Sequence, residues 1–174
     1  MKLSSLLLLL AVFFTLTGCP SLQIVPYEAG GSEKVLPLAM VSMECTADPD
    51  INRGRMEGYI LNIVEEHPDV RLICFGETVT GWYWMPFEGE SYQQSVAEPI
   101  DGETVTLMRT LAREYGVYIS FGFAESAGGT LYNSAVIVDD GGEILAHRHK
   151  SHFIPLDSWS GYTAGEKKIT TAYI

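Results

Sequence analysis

The stretch Leu131–Pro155, LYNSAVIVDDGGEILAHRHKSHFIP, constrains the fold more than any other part of the chain. Two apolar-rich runs, Leu131–Val138 and Glu143–His149, flank Asp139-Asp140-Gly141-Gly142. Acidic and glycine residues tolerate the left-handed backbone of a tight turn, so the pair reads as a β-hairpin. Strands this apolar need further layers to cover them. The second run leads through His147, His149, Lys150 and His152. An amine and several imidazoles at the exit of a buried strand mark a candidate site.

The rest of the chain supplies the layers. Leu36–Met43 is a short apolar run and the expected first strand. Asp48-Pro49-Asp50 is a turn able to cap a helix, and from Ile51 to Glu66 the residues Met56, Tyr59, Ile60, Ile63 and Val64 fall at helical spacing. His67-Pro68-Asp69 stops that helix, because proline lacks a backbone donor and restricts its predecessor. Val70–Phe75 reads as a strand inside a parallel sheet and ends at Gly76-Glu77-Thr78. Val79–Ala97 reads as a loop carrying Trp82, Tyr83, Trp84, Phe87 and Tyr92, which either wall a pocket or cover the edge of the core. Gly102–Tyr115 is a second amphipathic helix, with Val105, Met108, Leu111, Ala112 and Tyr115 on one face and Gly116 as its stop. Val117–Phe123 is a strand and Ser126–Thr130 a glycine-rich turn. Asp157–Glu166 reads as loop and Lys168–Ile174 as the start of another strand. Strands alternating with helices, then a hairpin, predict an α/β domain with helices over a mixed sheet.

At 174 residues, with 47% hydrophobic and 19% charged residues, the chain suits one folded domain and not a disordered segment. Its net charge of −11 argues against nucleic acid and against electrostatic binding to an anionic membrane. Lys2, the apolar run Leu6–Phe14 and Leu16-Thr17-Gly18-Cys19 resemble a bacterial lipoprotein signal, with cleavage before Cys19 and lipid on its thiol. An ordinary signal peptide or an uncleaved anchor are the alternatives. The lipoprotein reading makes residues 1–18 a signal peptide, 19–34 a tether and 35–174 the folded domain, anchored in the cell envelope and facing the periplasm or exterior. Three cysteines make no disulfide framework, and Cys45 and Cys74 read as buried thiols.

Glu77 follows an apolar strand, where desolvation can tune a carboxylate towards general-base work. The blander reading is a surface or capping residue. Lys150 near such a carboxylate can stabilise a developing oxyanion, although a lysine at a strand exit is commonly only solvated. His147 and His149 share one strand face with His152 close by, a weak metal-ligand pattern with no nearby Cys or carboxylate cluster to complete it.

Phe75-Gly76-Glu77-Thr78 with Thr80-Gly81-Trp82-Tyr83, Ala112–Tyr118 with Gly122-Phe123, Tyr132-Asn133-Ser134-Ala135, and His149-Lys150-Ser151-His152-Phe153 with Tyr162 and Gly165 follow one another in an order that resembles the nitrilase superfamily of carbon–nitrogen hydrolases. Gly76 stands where that family commonly has proline. The resemblance implies the N-terminal part of a nitrilase-like α-β-β-α sandwich and a Glu–Lys–Cys triad. Glu77 would be the general base and Lys150 the oxyanion stabiliser, with a nucleophilic Cys beyond this chain and a small amide or nitrile as substrate. His152 matches a position that supports the Lys or shapes the pocket. Asp157 is the carboxylate nearest to one that many members carry after the Lys, and Glu166 lies later. No metal or organic cofactor is implied. Members commonly pair through sheet-on-sheet contacts, so a homo-oligomer is expected, as is an unpaired sheet edge near Ile174. N-acyl transfer and a non-catalytic tethered binding module are the alternative functions.

Overall fold

The computed structural model describes residues 35–83 and 85–174, so the signal-like segment, Cys19 and the tether lie outside the described residues. The elements run β1 (Leu38–Met40), α1 (Pro49–Glu66), β2 (Leu72–Cys74), α2 (Gly89–Val96), α3 (Glu103–Tyr115), β3 (Tyr118–Ala127), β4 (Thr130–Val138), β5 (Ile144–His149) and α4 (Pro155–Trp159). The strands form one sheet in sequence order. β1, β2 and β3 are parallel, and β3, β4 and β5 pair antiparallel.

Local chemistry places the helices. Asp48 caps α1, its carboxylate accepting the Asp50 N–H at 2.9 Å, and Pro49 takes a first-turn position where no backbone donor is needed. The fully buried Asn52 fastens the entering chain through both ends of its amide, each 2.8 Å from a Thr46 backbone group. Gly116 ends α3 in the left-handed conformation, φ 64°. Asp139 organises the hairpin turn by accepting the Gly141 and Glu143 N–H groups at 3.0 and 2.8 Å.

The register aligns Ala39, Ile73, Ile119 and Val138 across the sheet. These residues join Phe121, Phe123 and Val136 in one cluster with Met56, Ile60 and Ile63 of α1 and Val105, Met108, Leu111 and Ala112 of α3. Burial of each large side chain contributes about 1.5–3 kcal/mol, so this face carries the stability. Strand side chains alternate, and the other face presents Leu38 and Met40 to solvent, the latter 76% exposed. A smaller cluster of Val96, Ala124, Leu131 and Tyr162 covers one end of that face.

The expected α/β layering is what forms, with local differences. Val79–Ala97 contains α2, which the apolar pattern conceals because its buried positions include Gln93. The Gln93 amide donates to the Trp82 and Tyr83 carbonyls at 2.7 and 3.2 Å and accepts the Tyr162 hydroxyl at 2.7 Å. Asp157 lies in the short helix α4 rather than in a loop. β3 continues past Phe123 to Ala127, and Lys168–Ile174 forms no ladder with any described strand. The crowded aromatics divide: Phe87 is fully exposed, while Tyr83 turns into the site. No helix among the described residues is long and apolar enough to cross a membrane.

Candidate functional site

Glu77 stands just beyond β2, where the chain keeps bonding to β3. Phe75 N–H donates to Ser120 O at 2.7 Å, Gly122 N–H to Gly76 O at 3.0 Å, and Val79 N–H to Gly122 O at 2.9 Å. Gly122 permits this approach, since a Cβ there would lie 2.9 Å from Glu77 Cα and 3.0 Å from Thr78 N. Thr78 has φ 48°, an unfavourable backbone for a β-branched residue, and its buried hydroxyl has no hydrogen-bond partner among the described residues. Strain and a close backbone contact thus flank Glu77.

Lys150 comes from the end of β5. Its N–H donates to Asn133 O at 2.7 Å and its carbonyl accepts the Gly165 N–H at 2.9 Å. Gly165 lies so close to His149 that an added Cβ would be 2.5 Å from the His149 Cβ. The Lys150 ammonium donates to Glu77 Oε1 at 2.9 Å, Asp157 Oδ1 at 3.1 Å and the Tyr83 hydroxyl at 3.3 Å. Those partners match the three donors of an ammonium. Asn133 Nδ2 donates to Glu77 Oε1 at 2.5 Å, and the Tyr83 hydroxyl donates to Asp157 Oδ1 at 2.9 Å.

Asp157 and Glu77 differ in freedom. The Asp157 side chain is fully buried, and its second oxygen accepts the Ile154 N–H at 2.9 Å. Glu77 is about half exposed, and its Oε2 takes no hydrogen bond from the described residues. Burial works against the Lys150 ammonium, but its bonds to Glu77, Asp157 and Tyr83 outweigh it and raise its pKa. Burial likewise opposes the Asp157 carboxylate, yet the Ile154 N–H, Lys150 and Tyr83 hold its pKa below the usual range. Burial and then the Asp157 bond push the Tyr83 phenol up. The cluster therefore keeps the Lys150 cation against the locked Asp157 carboxylate through the neutral range, with the half-exposed Glu77 side chain beside them. It can accept a proton at Glu77 and oppose negative charge at Lys150.

Among the sequence-derived candidates, Glu77, Lys150 and Asp157 meet. His152 does not: it is exposed on the coil after β5, with its Nδ1 3.2 Å from the Ser151 hydroxyl. Glu166 is exposed as well, and among the described residues only its backbone carbonyl is engaged, by Arg148 at 2.7 Å and by the Lys168 N–H at 2.9 Å. Tyr83, one of the loop aromatics that either wall a pocket or cover the core edge, and Asn133, which carries no expected role, both touch the ionic cluster. Neither described thiol offers an activated nucleophile. Burial raises the Cys45 pKa despite Arg55, and burial raises that of Cys74.

The histidine pattern resolves differently from its expectation. His147 and His149 converge through Nε2 on Glu125 Oε2, at 2.7 and 3.0 Å, and His152 takes no part. Burial pushes the Glu125 carboxyl up, but the His147 and Ser134 hydrogen bonds outweigh it and lower its pKa.

A family model described as Carbon-nitrogen hydrolase matches residues 37–172. Over 105 residues the chain is 33% identical to an (R)-stereoselective amidase of Pseudomonas sp, covering 60% of this chain and 36% of that protein. It is 35% identical over 118 residues to a nitrilase of Pyrococcus abyssi, covering 63% and 44%. The chain spans less than half the length of these curated relatives. A carbon-nitrogen hydrolase from Helicobacter pylori G27 superposes with TM-score 0.61 and 17% identity, covering 76% of this chain and 46% of that one, a likeness of fold.

Proposed function

The chain belongs to the carbon–nitrogen hydrolase family, and on that premise we propose that it carries the Glu77–Lys150 part of a thiol hydrolase site for small amides or nitriles. The observation that carries this reading is the Lys150 ammonium held 2.9 Å from a half-exposed Glu77 carboxylate at two strand ends. Glu77 takes the proton of a cysteine thiol, whose sulfur attacks the amide or nitrile carbon. Lys150 opposes the negative charge that develops on the substrate oxygen or nitrogen. Its donors are all occupied, so the developing anion displaces the weakest contact, the 3.3 Å bond to Tyr83. Glu77 then takes a proton from the water that releases the acyl group. Asp157, Tyr83 and Asn133 position the pair. On this reading the cysteine lies beyond this chain, since burial raises the pKa of both Cys45 and Cys74 and the proposed lipid occupies Cys19.

Lys2, Leu6–Phe14 and the residues before Cys19 support the accompanying proposal of a lipidated N-terminus that tethers the domain at the cell envelope. The exposed Leu38 and Met40 support association of copies through the open sheet face. An amine replacing water in the last step would give N-acyl transfer by the same residues.

Sequencing the locus beyond codon 174 and expressing the whole reading frame tests the proposal. The expected result is a cysteine codon after a further strand, with ammonia release that falls about 1,000-fold or more in Glu77→Gln and in Lys150→Ala. A frame that closes without that cysteine, or unchanged rates in both variants, overturns it.

A further inference from the structure

We propose that Glu125, His147 and His149 form a binding site for a divalent cation of the zinc class, on the opposite sheet face from Lys150. The ligands come from separate strands of one sheet. His147 and His149 alternate on β5, opposite Val136 and Ser134 of β4, and Glu125 lies on β3 opposite Tyr132. Strand alternation sends His149 and its neighbour Lys150 to opposite faces. One candidate ligand atom from each of Glu125, His147 and His149 lies within 4.8 Å of the others.

The arrangement exceeds what a buried carboxylate needs for neutralisation. The Ser134 hydroxyl, His147 Nε2 and His149 Nε2 all crowd a single oxygen, Glu125 Oε2, at 2.5, 2.7 and 3.0 Å. Two imidazole nitrogens and one carboxylate oxygen are the donor set of a three-ligand zinc site. An ion about 2.1 Å from each donor sets them about 3.4 Å apart in a tetrahedron, so His147 must withdraw by about 0.7 Å and His149 by about 0.4 Å. Both rings are more than a quarter exposed, which leaves room for that shift. On binding, each Nε2 proton moves to Nδ1 or leaves, freeing the lone pair.

The surroundings resemble outer support for such ligands. Tyr132 stacks on the His149 ring with centroids 3.8 Å apart and planes 11° from parallel. Ser134 fixes the Glu125 oxygen. A cavity of about 360 Å³, bounded by Tyr132, His147, His149 and Glu166, opens beside both imidazoles. Arg148 also borders it, but its guanidinium donates to the Glu166 carbonyl at 2.7 Å. The proposal stands on these residues and is independent of the hydrolase reading.

The test is titration of the chelator-treated full chain with Co²⁺, followed by Zn²⁺. The expected result is saturation at one equivalent with the visible bands of a low-coordinate cobalt centre, lost when Zn²⁺ displaces it. Removing an outer-shell partner weakens metal sites about 10–100-fold, so His147→Ala and His149→Ala should each weaken binding about 100-fold or more. His152→Ala should leave it unchanged. Paramagnetic broadening by Co²⁺ confined to the His147 and His149 imidazoles would establish the site in the wild-type protein even if a variant misfolds. Absence of saturable Co²⁺ binding by the wild type, or unchanged affinity in a folded His147→Ala/His149→Ala double variant, overturns the proposal.

Discussion

At the scale of single residues, Glu77 is placed by neighbours that perform no chemistry. Gly122 is one, because its missing side chain is what lets β3 touch the Glu77 backbone. Gly122→Ala should destabilise the fold by about 1–3 kcal/mol in urea denaturation, the range for overpacking against backbone that cannot yield. An unchanged midpoint would show that the segment moves freely. Asp157 makes a prediction in pH. Its folded pKa is lowered, so its stabilisation is present above the ordinary carboxylate value of about 3.9 and is lost as pH falls through the lower folded value. Lys150 is raised, so its contribution is complete below its ordinary value of about 10.4 and fades only above it. The stability gap between wild type and Asp157→Asn should therefore hold steady from about pH 5 to 9 and narrow progressively below about pH 4. A gap that does not narrow as the pH falls from about 4 to 2 would contradict that assignment. Glu77 and Lys150 each end a strand candidate, which alone left a solvated surface residue open, and the ordered motifs of the resemblance are what paired them. The roles of Tyr83 and Asn133 were not legible, since they depend on side chains brought from more than fifty residues away.

At the scale of elements, α3 begins without a capping side chain of its own, since Gly102 occupies that position. Glu98 serves in its place: its carboxylate accepts the Thr104 N–H and hydroxyl, each at 2.7 Å. Arg53 of α1 meets the same carboxylate at 2.8 Å, and both side chains are more than four-fifths buried. Removing Glu98 takes the partner of Arg53 Nη1 and uncaps the helix donors, while Asp50 and Glu103 still pair Arg53 Nη2. Glu98→Ala should therefore lower stability by about 2 kcal/mol in chemical denaturation, and a loss below about 0.5 kcal/mol would refute the capping account. The Glu98 backbone also bridges to the far end of β3, where its N–H donates to Ala124 O at 3.0 Å and its carbonyl accepts the Ser126 N–H at 2.9 Å. This support carries β3 beyond Phe123 and makes Glu125 a strand residue facing the histidines. Apolar patterning ends that strand early, because Glu125 and Ser126 look like the approach to a turn. The same reliance on apolar spacing concealed α2, whose buried Gln93 works through hydrogen bonds. By contrast α1, α3 and the hairpin were legible, since propensity, caps and burial all agree there.

At the scale of the whole molecule, stability and chemistry occupy different clusters. The large one, between α1, α3 and the sheet, contains Ile73, Ile119, Phe121 and Phe123. The small one contains Val96, Ala124, Leu131 and Tyr162 and lies beside the α2 and α4 segments that approach the site. Tyr162 links them, since its buried hydroxyl donates to Gln93, and Gln93 in turn holds the carbonyls of Trp82 and Tyr83. Regions with fewer buried contacts open at lower free energy, so the site should loosen before the core unfolds. Tyr162→Phe removes one buried hydrogen bond of about 1 kcal/mol while keeping the ring. Amide exchange in Gly89–Val96 and around Asp157 should then accelerate about fivefold, while the amides of Ile119–Phe123 change little. If the Ile119–Phe123 amides accelerate equally, the two clusters unfold as one unit. Separate responses would mean that the Glu77–Lys150 geometry can be loosened through Gln93 without disturbing the core that carries its strands.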